Sequence, residues 1–204
     1  NMPAYRWSRY AGDPHGLVRL GIAPTFNLYR TPLLANAGGS PAWAPSEDDY
    51  GAFITALARR YDGVTPDRDG LVHGPVELFQ AWNEPNIPRF LQPQWRTDAG
   101  GGHTAVSPGI YAGLLSAASR SVKAVQPDAW VIGFGGAPNG TDRPPAGGTG
   151  VITFIRGLVP FQPPADAFAQ HIYTAAGPGV TTAMPSFRRL DELIGELDRV
   201  RPGL

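Results

Sequence analysis

The sequence contains no cysteine. Disulfides, thiolate nucleophiles and cysteine-type metal sites are therefore excluded, although the lack of cysteine assigns no compartment. Charge is also sparse, at 17% of residues, and it balances: seventeen basic and seventeen acidic side chains give a formal net charge of zero and a pI near 7.1. That balance excludes the basic excess of a nucleic-acid binder and polybasic attachment to a membrane surface. No apolar run approaches the roughly 18 residues of a membrane span. No charged-then-apolar leader opens the chain. Because the first residue is Asn1 rather than Met, we expect a leader or a longer N-terminal part ahead of it. Lysine is nearly missing: Lys123 stands against sixteen arginines, which we read as genome composition rather than function. The glycine-rich phosphate turns GxGxxG and GxxxxGK[ST] do not occur, and a doubly wound nucleotide-binding sheet would usually show one at its first strand–helix junction.

What is present is a loop-rich but foldable chain. Its 204 residues suffice for one domain, spanning 1–204, and not comfortably for two. Glycine and proline number 26 and 22, yet 42% of the residues are hydrophobic and five are Trp. A chain of that composition folds around a core. There is no internal repeat. Strand, loop and helix recur instead. Short apolar runs at 21–26, 76–82, 129–134 and 165–173 read as strands. Helical stripes follow them: Tyr50, Phe53, Ile54, Leu57 and Tyr61 after a capping-box-like Ser46–Asp49; Tyr111, Leu114, Leu115, Ala118 and Val122 after Ser107-Pro108; a short helix over 151–158; and Leu190, Ile194, Leu197 and Val200. Residues 1–20 are expected to hold a further helix anchored by Trp7, Tyr10, Leu17 and Leu20. Such alternation implies parallel βαβ units. The loops after strands are long and those after helices short, and in a (β/α) barrel the loops after strands form the active face.

The chemistry concentrates at Trp82-Asn83-Glu84-Pro85-Asn86, at the C-terminal end of a predicted strand. A carboxylic acid held rigidly there can protonate the poor leaving group of a glycosidic bond. The neighbouring Asn can bond a sugar hydroxyl beside the reacting carbon. His171 and Tyr173 share one face of the last strand by their i, i+2 spacing. Trp43, Trp82, Phe90 and Trp95 lie on or beside strand-end loops, where rings can stack on the C–H faces of sugars. Each also has a plainer reading. Asn-Glu-Pro is a common turn, His and Tyr in a strand are ordinary packing residues, and Trp95 serves equally well as a loop anchor. Trp130, inside a strand, is expected in the core. His15, His73 and His103 show no metal spacing. Asn139-Gly140-Thr141 fits a glycosylation triplet and equally a turn.

The string Gln80-Ala81-Trp82-Asn83-Glu84-Pro85-Asn86 resembles the signature of clan A glycoside hydrolases, most of all families 39 and 5. The resemblance implies a (β/α)8 barrel, represented here by units like the third to the sixth. It implies a retaining glycosidase acting on oligo- or polysaccharides, with Glu84 as general acid/base and Asn83 as its partner. By the same resemblance His171 and Tyr173 line the sugar site, with Tyr173 bonding the nucleophile, and Trp43 matches a Pro-x-Trp segment after the third strand. It implies no metal and no cofactor, and makes secretion an expectation.

A retaining enzyme needs a second carboxylate about 5–5.5 Å from the first. The family's nucleophile ends the seventh strand, and no such strand is found before Leu204. Glu192 and Glu196 lie one turn apart on the last helix, where a solvated face is expected. Glu77 is at the wrong end of its strand, and Glu47 belongs to a helix's first turn. The chain alone is therefore expected to be inactive. An open four-strand sheet would also have two free edges that invite pairing with another chain or self-association. Three outcomes are compatible with this: a fragment of a longer product, closure by a second copy, or a non-catalytic carbohydrate-binding or pseudoenzyme domain.

Overall fold

The computed structural model describes residues 7, 14–37, 39–138, 140–172 and 190–203. Within them the chain forms α1 (Pro14–Arg19), β1 (Thr25–Leu28), α2 (Glu47–Arg60), β2 (Leu78–Ala81), β3 (Trp95–Thr97), β4 (His103–Ala105), α3 (Ser107–Lys123), β5 (Trp130–Gly136), α4 (Val151–Leu158), β6 (Ala167–Gln170) and α5 (Leu190–Val200). The first predicted strand is thus displaced toward the C-terminus, and the fourth is shorter than expected. No described helix is long and apolar enough to cross a membrane.

Four strands form one parallel sheet in the order β1-β2-β5-β6. The register pairs Asn27 with Gln80, Leu78 with Trp130, and Gly133 with Phe168. The order follows the chain without reversal, so there is no switch point of the kind that defines a doubly wound sheet. Consecutive helices touch one another: α2 packs on α3, α3 on α4, and α4 on α5. The result is mixed α/β, a row of consecutive units. The outer edges of β1 and β6 pair with no further strand among the described residues.

Period-two alternation decides the sheet's two faces. Phe26, Leu28, Phe79, Ala81 and Val131 meet the helices and belong to the core. Ile54, Leu114, Leu115, Phe154, Ile155 and Leu158 close it from the helix side, all essentially inaccessible. Each such side chain contributes about 1.5–3 kcal/mol by leaving water. The opposite face carries Thr25, Asn27, Leu78, Gln80, Trp130 and Ile132, half-buried or exposed. Trp130 was expected in the core; it is instead 53% exposed, because Val131 takes the inward position and alternation turns its neighbour outward.

Helix termini follow local rules, with one exception. Ser46 caps α2: its Oγ accepts from Asp49 N at 3.0 Å, and three acids occupy the first turn. Ser107 was expected to cap α3 in the same way. It is instead inside the helix, with Val106 as N-cap, and its hydroxyl donates to Gln94 Oε1 at 3.1 Å. A buried hydroxyl facing a buried amide takes that partner, and the helix retains Pro108 in its first turn. The loop after β2 also contains an unexpected ribbon, β3 paired antiparallel with β4. Its tip is an Asp98 turn, with Oδ1 accepting from Gly100 N and Gly102 N.

Candidate active site

Because the strands are parallel, the residues that follow them collect on one rim. β2 delivers Trp82, Asn83 and Glu84 there, β1 delivers Asn27, β5 delivers Gly135 and Gly136, and β6 delivers His171. Glu84 Oε1 and His171 Nδ1 share a hydrogen bond at 2.8 Å, and the two side chains are 12% and 22% exposed. A carboxyl group is thus held at the rim, partly reachable by solvent, by an imidazole two strands away in the sheet. Beside it, Asn27 Nδ2 donates to Asn83 Oδ1 at 3.0 Å.

The backbone that aims Glu84 is unusual. Trp82 and Glu84 have φ of 66° and 42°, a region that costs non-glycine residues about 1–3 kcal/mol each. Three bonds hold it: Trp82 N donates to Leu28 O at 2.9 Å, Trp82 Nε1 to Phe90 O at 2.9 Å, and Glu84 N to Gly135 O at 3.0 Å. Gly135 has φ of 57°, a conformation that strains any side chain, and a Cβ there would stand 2.4 Å from Gln80 Nε2 and displace that amide, so glycine is favoured. Next to it, Gly136 O accepts from His171 N at 3.1 Å. The end of β5 therefore sets Glu84 on one side and His171 on the other.

Two buried phenols brace the strand ends from beneath. Tyr50 donates to Leu28 O at 2.8 Å; Tyr111 donates to Ala81 O at 3.1 Å and accepts from Phe134 N. Burial pushes both phenols well above the ordinary tyrosine value, so they stay neutral. Asn86, fully buried, ties the Glu84 loop to the loops around β5: Nδ2 donates to Ala137 O at 2.9 Å and Thr149 O at 3.3 Å, and Oδ1 accepts from Ala137 N at 2.8 Å.

The remaining candidates separate. Trp43 lies in the loop after β1, its backbone bridged to Gln92 and its indole 44% exposed; no described contact joins it to Glu84. Trp82 is fully buried with its ring edge on Tyr50, so it is a strut rather than a sugar platform. Trp95 donates from Nε1 to Gly147 O at 3.0 Å and is the loop anchor of its two readings. Phe90 meets Tyr29 edge-on. Tyr173 and Asn139 lie outside the described residues. The expected solvated face of α5 is corrected at Glu196, which is 5% exposed and takes Arg156 Nε and Nη2 on Oε1 at 2.9 and 2.8 Å. The guanidinium of Arg156 holds Glu196 below the usual carboxylate range. No described group of acids or histidines could hold a metal ion.

With this geometry in hand, comparison with solved structures finds a monomeric β-xylosidase from Caulobacter crescentus CB15, at a TM-score of 0.52 and 19% identity. The fold is glycosidase-like. The match covers 97% of this chain and 37% of that one, so the chain spans little more than a third of that enzyme's length. No family model and no curated protein matches the sequence. The position of Glu84 just past a strand was local and legible in sequence. Asn27, Tyr50, Tyr111 and Gly135 act on the rim through partners 22 to 56 positions away, or through the strand-to-strand bond to Glu84. The stripe spacing of the two tyrosines marked only their burial.

Proposed function

We propose that this chain is the acid/base half of a retaining O-glycosidase of the clan A type, similar to families 39 and 5, acting on oligo- or polysaccharides. The observation that carries the reading is the carboxyl of Glu84 at the C-terminal end of β2, bonded to His171 from the end of β6. The glycosidase-like fold supports it. The sheet face with Leu78, Gln80 and Ile132, half-buried and packed by no described helix, supports a barrel lumen, since parallel sheets are ordinarily buried on both faces. In this reading residues 1–204 form one partial domain, units three to six of a (β/α)8 barrel, and the free edges of β1 and β6 receive the adjoining strands or a second copy.

The mechanism is double displacement. Glu84, as acid, gives its proton to the departing oxygen while the bond from that oxygen to the anomeric carbon breaks. A carboxylate on the opposite side attacks the same carbon and forms a glycosyl ester. Glu84, now ionised, removes a proton from water, which attacks the anomeric carbon and releases the ester. His171 orients the Glu84 carboxyl. Asn83 bonds the hydroxyl adjacent to the reacting carbon, where a bond strengthens as charge develops. Tyr173 bonds the nucleophile, and Trp43 offers a ring to an outer sugar.

A second reading, a non-catalytic carbohydrate-binding or pseudoenzyme domain, is favoured by the placement of the other glutamates. Glu196 is engaged by Arg156 with Glu192 beside it, and Glu47 lies against Gly113 of α3. None is a partner of Glu84 in the described contacts. A panel of aryl glycosides separates the two readings. The gene product carrying Glu84→Gln should keep sugar binding and lose most turnover of substrates with poor leaving groups, while activated aryl substrates suffer less. Unchanged hydrolysis of unactivated substrate by that variant refutes the acid/base role. Binding without phenol release by the native gene product establishes the second reading.

A further inference from the structure

We infer that Asn27 is a positioning residue: it fixes the amide of Asn83 so that the Asn83 NH2 faces a sugar hydroxyl. The inference rests on the reading of the rim as a sugar site and adds a residue to it. An asparagine side chain presents an acceptor at one end and two donors at the other, and rotation by half a turn exchanges them. Which end meets a ligand is decided by whatever holds the other end. Here Asn27 Nδ2 donates to Asn83 Oδ1 at 3.0 Å, which occupies the acceptor. Asn83 Nδ2 donates to no described residue, so the donor end is the one left for a ligand.

The position of Asn27 is dictated by the sheet. Its Cα pairs with Gln80 in the β1–β2 register, which sets it one residue from the end of β1 and three before Asn83 on the neighbouring strand. It is exposed on the face away from the helices, so its amide is not needed for the core. The arrangement matters most in a transition state. There the hydroxyl next to the anomeric carbon gains from a fixed donor or acceptor of matched polarity, and loses when the amide is free to turn.

The test is Asn27→Asp, which keeps the shape and removes the donor. The aspartate can only accept, so Asn83 must turn its NH2 toward position 27 and its oxygen toward the ligand. Two readouts on the gene product that carries this chain separate the claims. The first needs no sugar: the side-chain amide protons of Asn83, followed by NMR, should shift and become protected from solvent exchange in the variant. The second is the affinity for two analogues of xylobiose, bearing fluorine or hydrogen in place of the 2-hydroxyl on the non-reducing ring; unlike a hydroxyl, which both donates and accepts, fluorine can only accept. The native chain should prefer the fluoro analogue, by up to roughly fivefold, the value of one neutral hydrogen bond. Asn27→Asp should erase that preference and leave the affinity for the deoxy analogue unchanged. Asn83 protons that do not move, or a preference that survives the substitution, overturn the role of Asn27 alone. A native chain that binds neither disaccharide overturns the reading of the rim as a sugar site, and with it the purpose assigned to Asn27.

Discussion

Replacing Asn86 with aspartate exchanges one NH2 for one oxygen and leaves the shape of the side chain alone. The native amide donates to Ala137 O and Thr149 O and accepts from Ala137 N, all inside the protein. Aspartate keeps the last bond and sets a carboxylate oxygen against two carbonyl oxygens. Two bonds are lost at about 1 kcal/mol each, and the buried acceptors and charge lose their compensation, which adds about 1–3 kcal/mol. The expected deficit at pH 7.5 is about 3–5 kcal/mol, a large part of the roughly 5–15 kcal/mol that holds a domain folded. The sign of its pH dependence follows from the same contacts. A carboxylate facing carbonyls in the interior has a folded pKa raised above the unfolded value of about 3.9. The charge-dependent part of the deficit is therefore absent below that value, grows as pH rises toward the folded pKa, and is complete above it. Asn86→Ala, which carries no charge, should show a deficit of about 2–4 kcal/mol that is flat with pH. Urea denaturation of the three proteins at pH 7.5 and 5 measures this. An Asn86→Asp chain within about 1 kcal/mol of native at pH 7.5, or one whose deficit does not shrink in acid, would refute the reasoning.

Tyr111→Phe removes the acceptor of the buried Phe134 N–H and the donor to Ala81 O, and should cost about 1–3 kcal/mol in the same urea assay. Asp67 accepts from His73 Nε2 and from the amides of Leu71 and Asp69, and lies beside Arg60; these bonds, His73 first, hold its carboxyl well below the usual range. Its contribution is present above the unfolded pKa of about 3.9 and is lost as pH falls toward the depressed folded value. Asp67→Asn should therefore lower the melting temperature at pH 7 and flatten its decline below pH 4. Glu196→Gln removes the carboxylate that joins α5 to Arg156 of α4, so amide exchange should quicken across α5 while β2 and β5 keep their protection.

The elements that sequence reasoning placed well are those built from local chemistry. Ser46 and the three acids after it start α2 because a hydroxyl and an exposed amide three residues on are always within reach. Glu84 could be set at a strand end because the apolar run before it and the Asn-Glu-Pro turn are adjacent in the chain. The misplacements share a different cause. The β3–β4 ribbon is three residues a side and mostly solvent-facing, so it carries almost no hydrophobic period. Ser107 fits a cap until the buried Gln94 offers its amide oxygen. Glu196 fits a solvated helix face until Arg156 arrives from forty positions away.

The sequence by itself determined which segments alternate between strand and helix, which acid ends a strand, and what chemistry cysteine, charge and apolar length exclude. These follow from covalent spacing and side-chain type within a dozen residues. The tertiary structure alone decided which face of β5 carries Trp130, that Glu84 meets His171 across 87 positions, and that Asn27 meets Asn83 across 56. Those facts depend on the register between distant strands. A single residue of slip exchanges the two faces of a strand, and no local pattern records which partner lies opposite.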